Sequence, residues 1–249
     1  IRDCFLKDQP MPAALHDIAL TLWRQYLVVG GMPEAVLHFA ETKDFLLIRN
    51  IQETILIGYL NDMSKYNNEN EDKKTRLVYD SISVQLSKKN TRFQYKLVKK
   101  GGRAAEFENA IEWLRLSGIA SQVFRVEQIK KPLENYRDMN SFKIYYSDLG
   151  LLSAKKQLIA EDILYLTEDL NDFKGGLCEN YVQIQLAIHG YSTYYWESNR
   201  EAEVDFVIQR EGKLIPVEVK SSENAKAKSL NVFMETFRPE YAIKLSAGN

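Results

Sequence analysis

The sequence predicts a multi-domain α/β protein with three parts in chain order. Apolar residues recur at helical spacing through the first quarter, a polar segment follows at Asn61 to Lys74, and short strands alternate with helices in the last third. The chain has 249 residues, 45% of them apolar, which is enough for more than one core. We therefore expect a helical segment over 1–64, a helical unit with a hairpin over 75–160, and an α/β unit over 161–249.

The first part is predicted to consist of helices. Leu15, Ile18 and Leu22 lie on one face of a helix that Gly30-Gly31 ends. Pro33 suits the first position of a second helix, and a third is expected from about 44 to 60. The polar segment that follows is rich in Asn, Asp, Glu and Lys, so it predicts a linker and a domain boundary.

The middle part has the order of a winged helix. Three helical patterns occur in 77–86, 93–97 and 107–116, and two β-rich runs follow at 119–126 and 141–146. Three helices followed by a hairpin is the arrangement that this fold requires.

A basic run crosses the second of these helices without an acidic interruption. On a winged helix such a run is expected to contact the phosphates of DNA, and the aromatic residues Phe93 and Tyr95 interleave it. The alternative is a solvated face of two helices. The candidate nucleic-acid-binding residues are Lys88, Lys89, Arg92, Lys96, Lys99, Lys100 and Arg103.

The last part contains the strongest chemical signal, a predicted β-hairpin. The runs 203–209 and 214–220 can pair about a two-residue turn at Glu211-Gly212. This register sets Val204 against Val219, Phe206 against Val217 and Ile208 against Ile215, all on one face. It also places Asp205 opposite Glu218, and Glu203 opposite Lys220, on the other face.

Two carboxylates at directly opposed positions of a hairpin repel each other unless a cation or a proton lies between them. A hard divalent ion such as Mg²⁺ is the common solution. With Glu179 from the preceding helix and with Lys220, the pair Asp205 and Glu218 would suit a metal-dependent phosphodiesterase, in which the three acids hold the ion and Lys220 orients water or neutralises charge. The alternative is a solvated hairpin face on which Lys220 offsets both acids and Glu179 complements a helix start.

The order Glu179, then Glu203 to Ile208, then Pro216 to Ser222, resembles the PD-(D/E)XK nuclease superfamily, whose core is α-β-β-β-α-β. More closely, the chain is similar to the C-terminal half of a prokaryotic AAA-type ATPase family with a nuclease-like tail. Gly30 to Glu34 and Lys143 to Leu152 look like landmarks of that family. The resemblance implies that Glu179, Asp205, Glu218 and Lys220 are the active-site positions, although Val204 replaces the proline of the motif.

By the same resemblance, residues 1–64 would form the lid of an ATPase domain that precedes Ile1. That missing N-terminal domain would be a partner of this chain, and ATP would be a cofactor of the intact protein only. No phosphate-binding loop occurs in the sequence, so we do not expect this chain alone to hydrolyse ATP. The absence of an initiating Met is consistent with a fragment.

The charge, the hydropathy and the cysteine content limit the classes of protein to which this chain can belong. The formal net charge is −1, so any binding site for a polyanion must arise from local clustering. No stretch is long and apolar enough for a membrane span, and two isolated cysteines, Cys4 and Cys178, favour a reducing compartment, so a cytoplasmic protein is expected.

The leading hypothesis is a DNA-associated module with a Mg²⁺-dependent phosphodiester-cleaving site in a larger ATP-dependent protein. The second is a non-catalytic regulatory module that binds DNA or a partner protein. The third is an accessory and oligomerisation segment of the ATPase.

Overall fold

The computed structural model describes residues 2–7, 9–66, 69–88, 92–198, 202–221 and 227–248. Its helices and strands follow the expected order, with additional short helices at the start of the chain and after the hairpin of the middle part. The helices are α1 (Arg2–Leu6), α2 (Ala13–Val29), α3 (Pro33–Thr42), α4 (Phe45–Tyr66), α5 (Glu69–Leu86), α6 (Tyr95–Val98), α7 (Ala104–Leu116), α8 (Leu149–Lys155), α9 (Ala160–Tyr165), α10 (Asn171–Ile188) and α11 (Lys228–Phe237). The strands are β1 (Ala120–Val126), β2 (Arg137–Tyr146), β3 (Thr193–Glu197), β4 (Glu203–Arg210), β5 (Lys213–Val219) and β6 (Ile243–Leu245).

The expected polar linker is helical instead. α4 continues to Tyr66 and α5 begins at Glu69, so the prediction of a linker or long loop at 61–74 was wrong for the residues that the structure describes. Charged residues in this segment form ion pairs one helical turn apart, for example Lys73 with Glu69 at 2.8 Å and Arg76 with Asp72 at 2.8 Å. Such pairs, on residues of good helix propensity, favour a solvated helix over a loop.

One six-stranded mixed sheet contains strands from both the middle and the last part of the chain. The strand order is β2-β1-β3-β4-β5-β6. β1 pairs antiparallel with β2 and parallel with β3, through Phe124 opposite Tyr194. The hairpin expected to be the wing of a winged helix is therefore continuous with the sheet expected for the α/β unit. The helices α5, α6 and α7 precede it in the expected order.

The first part is fixed to the middle part through Asp148. Its carboxylate accepts hydrogen bonds from the backbone N–H of Gly31 at 2.7 Å and from the N–H of Leu151 at 2.8 Å. The second bond caps the N-terminus of α8, and the first holds the turn between α2 and α3. The two sequence landmarks, Gly30 to Glu34 and Lys143 to Leu152, thus meet at a structural contact.

The β4–β5 hairpin has the predicted register near its turn. Phe206 lies opposite Val217, Ile208 lies opposite Ile215, and Arg210 pairs with Lys213 across the two-residue turn. Glu211 and Gly212 both have positive φ, at 49° and 75°, as the turn requires.

Beyond the hairpin, a β-bulge changes the face of Val204. On the neighbouring strand β3, Tyr194 pairs with Val207 and Trp196 pairs with Val204. Two residues of β4, Asp205 and Phe206, therefore lie opposite the single residue Tyr195. Val204 consequently packs with Trp196 in a separate apolar cluster under α11, while Phe206 and Ile208 pack in the main core. The prediction that Val204 shares their face was wrong, because one extra residue in a strand turns the side chains beyond it to the opposite side of the sheet.

The helix that carries Glu179 packs closely on α5. A Cβ at Gly176 would lie 2.3 Å from the carbonyl oxygen of Leu86, so only glycine permits this approach. Leu177 and Val182 of the same helix join the main core. Gly176 therefore has a packing role, because it allows α10 to lie against the end of α5.

Candidate functional site

The β4–β5 hairpin brings Asp205, Glu218 and Lys220 together, as the sequence predicts. The carboxylate of Asp205 accepts a hydrogen bond from the backbone N–H of Val219 at 2.8 Å. The ammonium of Lys220 donates to Glu218 Oε1 at 2.5 Å. Glu218 is only 2% exposed, and its Oε2 is buried without a hydrogen-bond partner among the described residues.

Glu179 joins this site from α10. Its Oε2 accepts a hydrogen bond from the hydroxyl of Tyr145 at 3.2 Å. Burial raises the pKa of Glu179 from 4.5 to about 7; the ammonium of Lys143 opposes this shift, and Asp205 adds to it. The three acids that were predicted from different parts of the sequence thus belong to one site.

Lys143 of β2 is the residue that sequence reasoning missed as a member of the site. Its side chain is fully buried, and its ammonium forms ion pairs with Glu203, with Glu179 at 3.6 Å and with Asp205 at 3.8 Å. It also lies 5.2 Å from the centre of the Tyr195 ring. The available signal was a lone lysine inside the run Phe142 to Tyr146, because a lysine in a buried strand requires a partner.

The pairing of Glu203 differs from the prediction. Glu203 contacts Lys143 rather than Lys220, whose ammonium is bound to Glu218. The bulge in β4 lies between Val204 and Val207, and the pairs of β4 with β5 run only from Phe206 to the turn, so the predicted register does not reach Glu203.

We define the acid cluster as Glu179, Glu203, Asp205 and Glu218, together with the ammonium groups of Lys143 and Lys220. Four carboxyl groups face two ammonium groups, so the fully ionised cluster carries an excess of two negative charges. Its members lie at the junction of α10, β2, β4 and β5.

Burial is the main cause of the raised pKa values in the cluster, and neighbouring carboxylates add to it. Burial raises the pKa of Asp205 despite the field of Lys143. Burial, and then the charge of Asp205, raises the pKa of Glu218. Burial alone would lower the pKa of Lys143, but Tyr145 and the surrounding carboxylates outweigh it and hold that pKa well above its ordinary value. The pKa of Lys143 is thus raised by its surroundings, whereas burial favours the protonated forms of Glu179, Asp205 and Glu218.

The donor atoms of the cluster fit a metal ion only in part. Among the described residues, no group of three or more His, Cys, Asp or Glu side chains is arranged to hold one. The chemistry of Asp205 and Glu218 nevertheless suits Mg²⁺, which is commonly bound by one or two carboxylates and otherwise by water and phosphate. The buried, unbonded Oε2 of Glu218 is a suitable ligand atom. Glu179, held by Tyr145 and Lys143, is better placed to act beside an ion than as its ligand.

Two side chains of the predicted basic run already form ion pairs with acids. Lys99 forms an ion pair with Glu106 at 2.7 Å, and Arg92 lies 3.8 Å from Glu197. Lys89 lies outside the described residues. The remaining four side chains are exposed and form no ion pair with a described residue, and we call them the basic face: Lys88, Lys96, Lys100 and Arg103.

The aromatic residues of this run face the interior. Phe93 stacks on Phe142 with ring centres 5.0 Å apart, and Tyr95 stacks on Phe107 at 6.5 Å. Both rings belong to the packing of the main core. Phe93 is buried, whereas Tyr95 is half-buried against Phe107 at the start of α6.

Comparison with known families divides the chain near the end of α9. Residues 20–162 match the family described as Domain of unknown function (DUF8612), which is 143 of the 249 residues. The chain belongs to the DUF8612 family. The DUF8612 region includes Lys143 and Tyr145, so part of the acid cluster lies within it.

Residues 174–249 match a second family, Domain of unknown function (DUF4143). DUF4143 is found in the C-terminal region of AAA-ATPase-associated proteins. This region contributes Glu179, Glu203, Asp205, Glu218 and Lys220. The acid cluster of this DUF8612 member therefore combines residues of both matched regions.

No curated protein and no solved structure matched the chain. Within the ranges that the structure describes, every helix is too short or too polar to pass through a lipid bilayer.

Proposed function

We propose that the chain is a nucleic-acid-associated module of an AAA-type ATPase protein and that the acid cluster is a Mg²⁺-dependent phosphodiester-cleaving site. The observation that carries this proposal is the charge of the cluster. Four carboxyl groups share two ammonium groups, and Glu218 Oε2 is buried without a partner beside Asp205. A divalent cation would balance the excess charge and satisfy that oxygen.

In the proposed site Asp205 and Glu218 would hold the ion, and the carbonyl of Val219 would offer a further oxygen ligand. When bound, the ion would polarise the phosphate and lower the pKa of its water. Lys220 neutralises charge on the phosphate from its position against Glu218. Glu179, with a pKa of about 7, is suited to accept the proton of the attacking water.

The nucleic-acid contact is assigned to the basic face on α6 and its neighbours. Its four side chains are exposed, and the order of α5, α6, α7, β1 and β2 is that of a winged helix. Each lysine or arginine that meets a phosphate adds a salt-dependent contribution to affinity. DNA is the proposed partner of the basic face.

An ATPase domain of the same protein is the second proposed partner, with ATP bound in the intact protein only. The match to a family of AAA-ATPase-associated proteins supports it. Ile18 and Leu22 of α2 are 56% and 60% exposed, and they form an apolar face on which a further domain could pack. Free cysteines at Cys4 and Cys178 are consistent with the cytoplasmic location that the proposal includes.

The test measures metal binding and cleavage separately. Mg²⁺ and Mn²⁺ are titrated into the protein by calorimetry, and plasmid, linear and single-stranded DNA are then incubated with each metal. We expect Asp205→Asn and Glu218→Gln each to abolish metal binding and cleavage. Lys220→Met should retain metal binding and lose most of the cleavage, because the lysine acts on phosphate.

Glu235→Gln provides a matched control, since Glu235 is an exposed acid of α11 outside the cluster. It should leave both measurements unchanged, and circular dichroism checks the fold of every variant. Cleavage that persists in folded Asp205→Asn, or a cluster that binds neither metal in the parent protein, would overturn the proposal.

A second function is favoured by the position of Lys143. Its ammonium already pairs with three of the four acids, so the cluster can be a buried structural network in a regulatory module that binds DNA or a partner protein without cutting. This alternative expects DNA binding that weakens with Lys96→Ala and is unchanged by Glu218→Gln, with no cleavage in any metal.

A further inference from the structure

A cavity of about 380 Å³ lies directly beside the acid cluster, between α2, α10 and the ends of β5 and β6. Its volume is within the range of small-molecule sites. The walls are mainly apolar and include Ala19 and Trp23 of α2, Cys178, Tyr181 and Val182 of α10, and Leu245 of β6. Of its lining residues, the proposed hydrolytic chemistry uses only Val219 and Lys220.

Aromatic rings form one side of the cavity. Trp23 and Tyr181 meet edge to face with ring centres 6.0 Å apart, and both are only partly buried. Rings held in this way offer a flat apolar surface to another planar group. Base stacking on such rings is the usual means by which proteins hold unpaired nucleotides.

Cationic and hydroxyl groups also line the cavity. Lys220 and Ser221 contribute to its lining, and Lys220 also binds Glu218. Lys174 lines it too, and this lysine forms no ion pair with any residue that the structure describes. An occupant with a planar apolar body and an anionic group would match both the walls and these charges.

We propose that the cavity binds the base of an unpaired nucleotide whose phosphate lies at Lys220 and Lys174. A base inside walls formed by α2 and α10 is not available for pairing, so the substrate class is single-stranded or locally unpaired nucleic acid. This inference rests on the proposed function for the position of the reacting phosphate. The base pocket itself is a separate feature, and its occupancy does not require a metal ion.

The experiment follows tryptophan fluorescence in the presence of a metal chelator, so that cleavage does not occur, and Trp23→Phe identifies the contribution of Trp23 among the three tryptophans. A nucleoside monophosphate, the corresponding nucleoside, inorganic phosphate, a short single strand and its duplex are titrated separately. We expect the monophosphate and the single strand to change the signal, and Trp23→Phe to remove that change. The nucleoside should bind more weakly, and the duplex and inorganic phosphate should give no comparable response.

Two variants on α2 provide a matched pair. Ala19→Phe places a ring in the cavity, whereas Ala14→Phe places it on the exposed side of the same helix. Ala19→Phe should weaken nucleotide binding by about tenfold or more, which is the range of one stacked base, and Ala14→Phe should not. If Ala19→Phe does not fold, Lys174→Met takes its place, since it removes the unpaired cation at a partly exposed position.

Outcomes separate this inference from the proposed function. Nucleotide binding that is sensitive to Ala19→Phe, without any metal-dependent cleavage, would retain the base pocket and reject the nuclease. Cleavage with equal rates on duplex and single strand, unaffected by Ala19→Phe, would retain the nuclease and overturn the base pocket. Binding of inorganic phosphate as tight as that of the monophosphate, or binding of apolar compounds in preference to nucleotides, would also overturn it.

Discussion

The stability of this protein should decrease as the pH rises through neutrality, and Glu179 is the residue that makes this testable. Its pKa is 4.5 in an exposed chain and about 7 in the folded protein, because burial disfavours the charged form. The folded state therefore holds a proton on Glu179 between these values while the unfolded state has released it. Its contribution to stability is complete below the unfolded pKa and is lost as the pH rises through the folded one.

The magnitude follows from the two pKa values. At about 1.4 kcal/mol per pKa unit, the difference amounts to about 3 kcal/mol. Glu179→Gln removes this titration, so the variant should not lose this part of its stability as the pH rises. The difference in free energy of unfolding, variant minus parent, should therefore increase by about 3 kcal/mol between pH 4.5 and pH 8. Glu235→Gln, on the exposed side of α11, should run parallel to the parent.

Urea denaturation without metal, followed by circular dichroism across this pH range, measures the difference. A constant difference between Glu179→Gln and the parent would refute the reasoning. Asp205 and Glu218 also have raised pKa values, so they add a decrease of the same sign in the parent. Added Mg²⁺ should reduce the decrease, because an ion binds only the ionised carboxylates.

Three further predictions concern other parts of the structure. Lys143→Met should lower the free energy of unfolding at neutral pH by about 3–5 kcal/mol, because it leaves buried carboxylates without their cation; urea denaturation checks this, and a loss below about 1 kcal/mol would contradict it. Gly150→Ala should destabilise the protein by about 1–3 kcal/mol, since the new Cβ would lie 2.3 Å from the carbonyl oxygen of Val29; a melting temperature equal to that of the parent would argue against the packing described. Replacing Lys96 and Lys100 together by Ala should reduce the slope of log affinity for DNA against log salt by about 1.8, as expected for two lost phosphate contacts, and an unchanged slope would place the DNA elsewhere.

The continuity of the sheet has a consequence for the site. β1 and β2 come from the region matched to DUF8612, and β3 to β6 come from the region matched to DUF4143. Parallel pairing of β1 with β3 brings Lys143 near the acids of β4. A change at the junction of these regions is therefore expected to alter the acid cluster as well as the fold.

Local sequence determined the hairpin and most helices. The apolar residues Phe206, Ile208, Ile215 and Val217 alternate about Glu211-Gly212, and this pattern fixes both the turn and the register that the structure shows. Helical spacing likewise predicted α2, α3, α5 and α7, because apolar residues on the buried side of a helix recur about every three or four positions. These features depend on neighbours in the chain, which a single sequence displays.

Tertiary structure alone decided how the acids are paired. Glu203 meets Lys143 across 60 positions of sequence, and no local pattern relates the two residues. The bulge opposite Tyr195 similarly reflects the pairing of β4 with β3, which is set by the packing of the whole sheet. The hairpin pattern in the sequence predicted that Asp205, Glu218 and Lys220 would come together. Only the long-range strand pairing brought Lys143, and with it Glu203, into the same cluster.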